Sequence, residues 1–187
     1  ANNMHPAFSV IFFTVTSGAG YGLIALLCLF NFLYFGMLFD KTNFLIFSGI
    51  SAALFTMGLI SSTFHLANPK NAWRAFMRFR TSWLAREGLL AILFYPTLFL
   101  YLTLIYFDFY KEYFLIMQLY SIYIFFFAIL IIYCTGMIYA CLKTIPQWNT
   151  IWTPINYITI GVYLGSLIFF LLLSINEYNI SPYKPIL

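Results

Sequence analysis

Ser61-Ser62-Thr63-Phe64-His65-Leu66-Ala67-Asn68-Pro69, continuing through Lys70, Arg74, Arg78 and Arg80 to Ser82-Trp83-Leu84-Ala85-Arg86-Glu87-Gly88, parts two apolar runs that are each long enough to cross a membrane. This one stretch holds five of the nine basic residues, one of the two histidines and one of the five carboxylates. Only 7% of the 187 residues are charged. Such a concentration of polar groups at a membrane boundary calls for a chemical reason.

The rest of the chain supports the membrane reading. Hydrophobic residues make up 63% of it and the mean hydropathy is +0.91. A soluble domain carries about 25% charged residues. Outward from the polar stretch, five apolar segments are expected to be helices: 7–39, 44–66, 87–107, 113–142 and 154–175. Each reaches the length of about 20 residues that spans the hydrocarbon core, and the first and fourth are long enough to tilt or protrude. Backbone groups in lipid must be satisfied within the segment, and no barrel-type alternation is present. The expected fold is therefore an all-α integral membrane protein, residues 1–187 forming one transmembrane domain of about five helices. Pro96 should kink the third helix, and Pro154 suits the first turn of the fifth.

Composition also excludes functions. A net charge of +4 concentrated in one stretch is no basis for nucleic-acid binding. Cys28, Cys134 and Cys141 all lie in apolar runs. Cys134 and Cys141 stand about 10 Å apart along a helix, too far for a disulfide. With no CxxC and no Cys/His cluster, no iron–sulfur cluster or zinc is expected in this chain. A bis-histidine haem needs two facing intramembrane histidines, whereas only His5 and His65 exist and His5 precedes the first helix; no haem is expected. The start, Ala1-Asn2-Asn3-Met4-His5-Pro6, lacks the basic region of a cleavable signal. It reads as a native N-terminus whose first helix is an uncleaved anchor.

Counting Lys and Arg places six (Lys70, Arg74, Arg78, Arg80, Arg86, Lys143) on the side of the second–third connection and three (Lys41, Lys111, Lys184) on the other. This bias puts residues 67–86 in the cytoplasm. Trp73, Phe76 and Met77 share one helical face there, with Arg74 and Arg78 on another, the pattern of a basic amphipathic helix on the membrane surface. Gly18 and Gly22 form a GxxxG pair, read first as close helix packing and second as room for a flat ligand.

His65 ends the second segment and Glu87 begins the third, so antiparallel packing would bring them together at one membrane surface. Ionisable groups at membrane depth are expensive and point to function. A quinone needs a hydrogen-bond donor for a carbonyl oxygen and a group that passes protons. Histidine titrates near neutral pH, and a carboxyl at such a boundary is tunable for proton transfer. The structural alternatives are a satisfied helix-end histidine and a Glu87 paired with Arg86 or Arg80 near a helix N-terminus.

His65-Leu66-x-x-Pro69-x-x-Ala72-x-Arg74-Ala75-Phe76, Ser82-Trp83-Leu84-x-Arg86-Glu87 and Trp148-x-x-Ile151-Trp152-Thr153-Pro154 resemble the DMSO reductase anchor subunit family. The opening, His5-Pro6-Ala7-Phe8-Ser9-Val10-Ile11-Phe12-Phe13 with Ser17-Gly18-Ala19-Gly20, resembles its sulfite dehydrogenase membrane-subunit branch. The resemblance implies a haem-free anchor in the bacterial inner membrane. Such an anchor exchanges electrons between the quinone pool (ubiquinone or menaquinone) and an iron–sulfur subunit, which serves a molybdopterin catalytic subunit. It associates the positions of His65 and Glu87 with the quinone site. The family pattern is about eight helices where five are read here, so this chain is either short or lacks the later helices. A cytoplasmic basic connection favours sulfite oxidation over menaquinol oxidation by a DMSO reductase-type enzyme.

On this reading His65 holds a quinone carbonyl and Glu87 passes protons. Trp83 and Trp152 flank lateral entry from lipid, and Arg74, Arg78 or Arg86 bind the partner or steady the reduced anion. A transporter would need charged or broken helices near the midplane, which these segments lack. A passive anchor would leave the whole quinone site to the partner.

Overall fold

The computed structural model of the chain describes residues 8–34, 40–63 and 79–175. Five long helices that alternate in direction along the chain occupy them: α1 (Phe8–Leu33), α2 (Lys41–Thr63), α3 (Trp83–Tyr106), α4 (Phe114–Ala140) and α5 (Trp152–Ile175). All five are long and apolar enough to cross a membrane, and no strand occurs among the described residues. The expected helical bundle is what the chain forms. The near edge, as termed below, is the end that carries the start of α1, the end of α2, the start of α3 and the α4–α5 turn. The far edge carries the other helix ends.

α1 is the central helix and packs against α2, α4 and α5, while α3 packs mainly on α4. Small residues let its neighbours approach. Toward α2, the Ser51 hydroxyl donates to the Gly20 carbonyl at 2.7 Å. Toward α5, a Cβ on Gly22 would stand 2.0 Å from the Gly161 carbonyl oxygen, and one on Gly165 would stand 2.4 Å from the Gly22 carbonyl carbon. The Gly18/Gly22 pair thus faces a second pair at the same spacing, Gly161/Gly165. Close packing, the first reading of the GxxxG pair, is correct at Gly22. Helices in lipid associate through such backbone proximity, because the lipid itself is as apolar as their side chains.

The core is aromatic. Tyr21 stacks on Phe55 (4.7 Å, 3°) and meets Phe94 edge-on at 5.5 Å. α2 and α3 touch through side chains, with Phe55 against Tyr95 at 5.3 Å and the Thr56 and Tyr95 hydroxyls hydrogen-bonded at 2.7 Å. Large apolar side chains such as Phe99 (74% exposed) and Leu115 (70%) cover the outside, as lipid contact requires. In the far half, Asn31 Nδ2 donates to Tyr101 Oη (2.9 Å) and Ser121 Oγ (3.1 Å). Tyr101 and Ser121 bond each other, and Gln118 Nε2 donates to the Asn31 carbonyl at 3.2 Å. This network knits α1, α3 and α4.

Helix ends depart from the expected bounds where hydrogen bonding decides them. α1 is described to Leu33, with residues 35–39 of its expected range outside the described residues, and α2 starts at Lys41 instead of Phe44. Lys41 Nζ donates to the last α3 carbonyl, Tyr106 O, at 3.1 Å and pairs with Asp108 at 3.0 Å. α3 starts at Trp83 rather than Glu87, because Ser82 is an extended N-cap whose hydroxyl accepts from the Ala85 N–H at 3.4 Å. Asn149 Nδ2 caps α4 by donating to Ala140 O at 2.6 Å. Pro96 lies inside a continuous α3 and Pro154 in the first turn of α5.

Candidate functional site

His65, Arg74 and Arg78, and with them most of the 67–86 connection, lie outside the described residues. Trp83, Arg86, Glu87 and Trp152 lie within them, all at the near edge. The N-cap at Ser82 places Glu87 four residues into α3, about 6 Å below the helix start. Arg86 and Glu87 therefore belong to the span itself instead of bounding it.

Consecutive helical residues diverge by about 100°, and this pair shows the consequence. Arg86 turns up toward the surface. Its Nε donates to Phe79 O at 3.0 Å and its Nη2 to Arg80 O at 2.7 Å. Its guanidinium also lies 4.2 Å from the Trp83 ring centre, and Trp83 meets Tyr133 edge-on at 6.0 Å. Arg86 thereby pins the 79–82 turn onto the start of α3. Glu87 turns inward and is 4% exposed. No ion pair involves it among the described residues, and its Oε1 has no hydrogen-bond partner there. The expected structural alternative, a Glu87–Arg86 pair, is not formed. Thr135 of α4 stands within hydrogen-bond reach of the Glu87 carboxyl, while its hydroxyl also has the Ile131 carbonyl at 3.1 Å. Tyr21, Cys134 and Tyr139 lie within electrostatic range. A buried polar atom without a partner costs about 1–3 kcal/mol, which argues that the carboxyl is retained for more than packing.

Beside Glu87, past Thr135, is a cavity of ≈ 220 Å³ between α1, α4 and α5. Thr14, Ser17 and Tyr21 of α1, Thr135 of α4, and Tyr157 and Gly161 of α5 line it. The Tyr21 hydroxyl, on a side chain 1% exposed, has no partner among the described residues. A second hollow of ≈ 240 Å³ shares Thr14 and Tyr157 with it and reaches Trp148 at the near edge. Gly18 also borders the first cavity. A Cβ there would find its nearest neighbour, Gly161 Cα, at 3.7 Å, an ordinary contact, so the seam that excludes a methyl at Gly22 just admits one a turn nearer the edge.

Trp152 opens α5, is 65% exposed and lines neither hollow. Trp83 is engaged with Arg86 and Tyr133. The two tryptophans share the near edge. Tyr21, Thr135 and Tyr157 escaped sequence reading. Their only sequence signal is the matched glycine spacing of α1 and α5.

Residues 2–185 match the family described as DMSO reductase anchor subunit (DmsC). The chain belongs to that family. It is 31% identical, over 179 residues, to a sulfite dehydrogenase subunit of Allochromatium vinosum, an alignment covering 87% of this chain and 53% of the relative. The anchor thus spans about half the length of the curated relative it matches. No solved structure matches it. Membership agrees with the five apolar helices: this is a multi-pass membrane protein of an anchor-subunit family.

Proposed function

We propose that the chain is the quinone-reactive, haem-free membrane anchor of a molybdopterin oxidoreductase complex in the bacterial inner membrane. The observation that carries the reading is Glu87, a buried carboxyl without an ion-pair partner among the described residues, one turn below a basic membrane edge. An iron–sulfur subunit would dock over that edge, drawn by Arg80, Arg86, Lys143 and the basic residues of 67–78. Reduction of the quinone takes two electrons from that subunit and two protons. Glu87 would pass protons between the reacting oxygen and the near edge, and His65 would hold a carbonyl. Arg86, already bound to two backbone carbonyls, serves to fix the edge. The likeness to a sulfite dehydrogenase subunit supports sulfite oxidation as the reaction of the whole complex, and the Lys/Arg bias supports a basic edge facing the cytoplasm.

The residues fit the ligand. An apolar cavity of about 150 Å³ holds benzene, so the ≈ 220 Å³ beside Thr135 admits a flat ring headgroup with its tail outside. The test is Glu87→Gln in the assembled complex. Quinone turnover should be abolished while the subunits still co-purify. Undiminished turnover removes Glu87 from the mechanism, and a b-type Soret band in the purified chain removes the haem-free assignment.

A further inference from the structure

We infer that the outer groove between α4 and α5 at the near edge binds an anionic phospholipid, with hydrocarbon lying in the groove and the phosphate beside Lys143 and Arg86. The groove shares no lining residue with the cavity beside Glu87.

The groove measures ≈ 490 Å³. Tyr133, Met137 and Ala140 recur along one face of α4 and carry it about 10 Å down from the edge. Ile151 and Ile155 line it from the α5 side, and with Tyr133 they are exposed on the outer surface. The two helices are shut beside it, where a Cβ on Gly136 would stand 2.6 Å from Pro154 Cα. Asn149 and Thr150 form a polar upper rim. In a bundle whose outside is bathed in lipid, an apolar groove of this kind takes hydrocarbon. Spread over about 10 Å, its ≈ 490 Å³ gives a cross-section of about 50 Å², against about 80–110 Å² for a helix 10–12 Å across. Acyl chains fit inside it, whereas a further helix could only lie over it.

Charge selects the headgroup. Arg80, Arg86 and Lys143 stand at this edge, and the sequence has no Asp or Glu from Thr63 to Arg86 or from Ala140 to Trp152. Glu87 is buried, and Asp40, Asp108 and Glu112 all lie at the far edge. Lys143 follows Ala140 by three residues, in the exposed turn that Asn149 ties back onto the end of α4. Arg86 flanks the groove on its α3 side: its guanidinium covers the Trp83 ring at 4.2 Å, and Trp83 meets Tyr133 at 6.0 Å. Nε and Nη2 of Arg86 are bound to backbone carbonyls, while Nη1 bonds nothing among the described residues. One donor and the whole charge remain for a phosphate. Basic pockets between membrane helices hold anionic headgroups in this way, and a zwitterionic headgroup would leave the charge of this edge uncompensated.

The experiment titrates the purified full-length chain, in mild detergent, with dioleoylphosphatidylglycerol or with dioleoylphosphatidylcholine. Native mass spectrometry reads retained lipid, and thermal melts read the half-saturating concentration. The anionic lipid should be retained and should raise the melting temperature at a lower concentration than the zwitterionic one, an advantage that shrinks in high salt. Lys143→Gln should raise the half-saturating concentration of phosphatidylglycerol about fivefold, the loss expected for one cation at a membrane surface. Lys111→Gln, at the far edge, should leave it unchanged. Ala140→Phe fills the groove and should abolish retention; if that variant fails to fold, Lys143→Gln decides alone. An equal response to the two lipids, an unchanged titration in Lys143→Gln, or full retention by a folded Ala140→Phe overturns the inference. A lipid-free dimer that Ala140→Phe dissociates would give the groove to a second copy of the chain and overturn it as well.

Discussion

Replacing Gly22 by Ala adds one methyl group at the tightest point of the bundle. The new Cβ would lie 2.0 Å from the Gly161 carbonyl oxygen and 2.6 Å from its carbon, against an ordinary contact of at least 3.4 Å. Both neighbours are backbone, so no side chain can swing away and α1 and α5 must separate along the seam. Overpacking of this kind costs about 1–3 kcal/mol. Lipid offers no hydrophobic force to push the helices back together, which favours the upper part of that range. Gly49→Ala is the matched control. Its Cβ meets nothing within 4 Å, and Ala is the better helix former by about 0.5–1 kcal/mol. Thermal unfolding in mild detergent should place Gly22→Ala several degrees below wild type and Gly49→Ala no lower than wild type. Equal melting of Gly22→Ala and wild type would refute the glycine seam as the contact that sets the α1–α5 distance.

Three further outcomes are expected. Asn31→Ala strands the groups it joins on α3 and α4 and should cost about 1–3 kcal/mol; a double-mutant cycle with Ser121→Ala should be non-additive, as read by the same melts. The hydrogen bond from Lys41, helped by the Lys111 charge, holds the Asp108 carboxyl below its ordinary value of 3.8. A group whose value is lowered on folding contributes stability above that ordinary value and loses it as pH falls through the lowered one. Acid titration of unfolding should therefore show a component below pH 3.8 that disappears in Asp108→Asn and weakens in high salt. Cys141 is exposed at the near edge, while Cys28 and Cys134 are buried. A membrane-impermeant maleimide should label the chain only after the cytoplasmic face is opened, and labelling from outside would reverse the proposed orientation.

The spans were legible because lipid imposes a length and a composition on each of them. Their ends were less so. Nothing in the apolar count marks Trp83 as the start of α3; the Ser82 cap does, and reading it would have put Glu87 inside the helix. The fate of Arg86 was not legible at all. Its partners are the backbone carbonyls of residues 79 and 80, which every residue possesses and no sequence pattern distinguishes. The cavity depends on register. Gly18 and Gly22 look alike in sequence, yet one leaves 3.7 Å to α5 and the other has no space for a methyl. That difference arises only when α1 and α5 are set against each other.

The described residues contain two kinds of unsatisfied polarity, and they separate structure from function. The amide oxygens of Asn31 and Gln118 lack partners, but the NH2 groups of the same side chains tie three helices together. Their unsatisfied atoms are the by-product of a network. Glu87 builds no such network. Its neighbours Thr135 and Tyr21 belong to other helices, and its cationic chain neighbour is bound elsewhere. A carboxyl kept for function at a cost in stability gains from replacement by a neutral amide of the same shape, since burying a charge costs more than burying a dipole. Glu87→Gln should therefore melt at or above the wild-type temperature even as quinone turnover is lost, the trade expected where a site is maintained against stability. A marked fall in melting temperature would instead make Glu87 part of the scaffold, and the loss of turnover would then say nothing about protons.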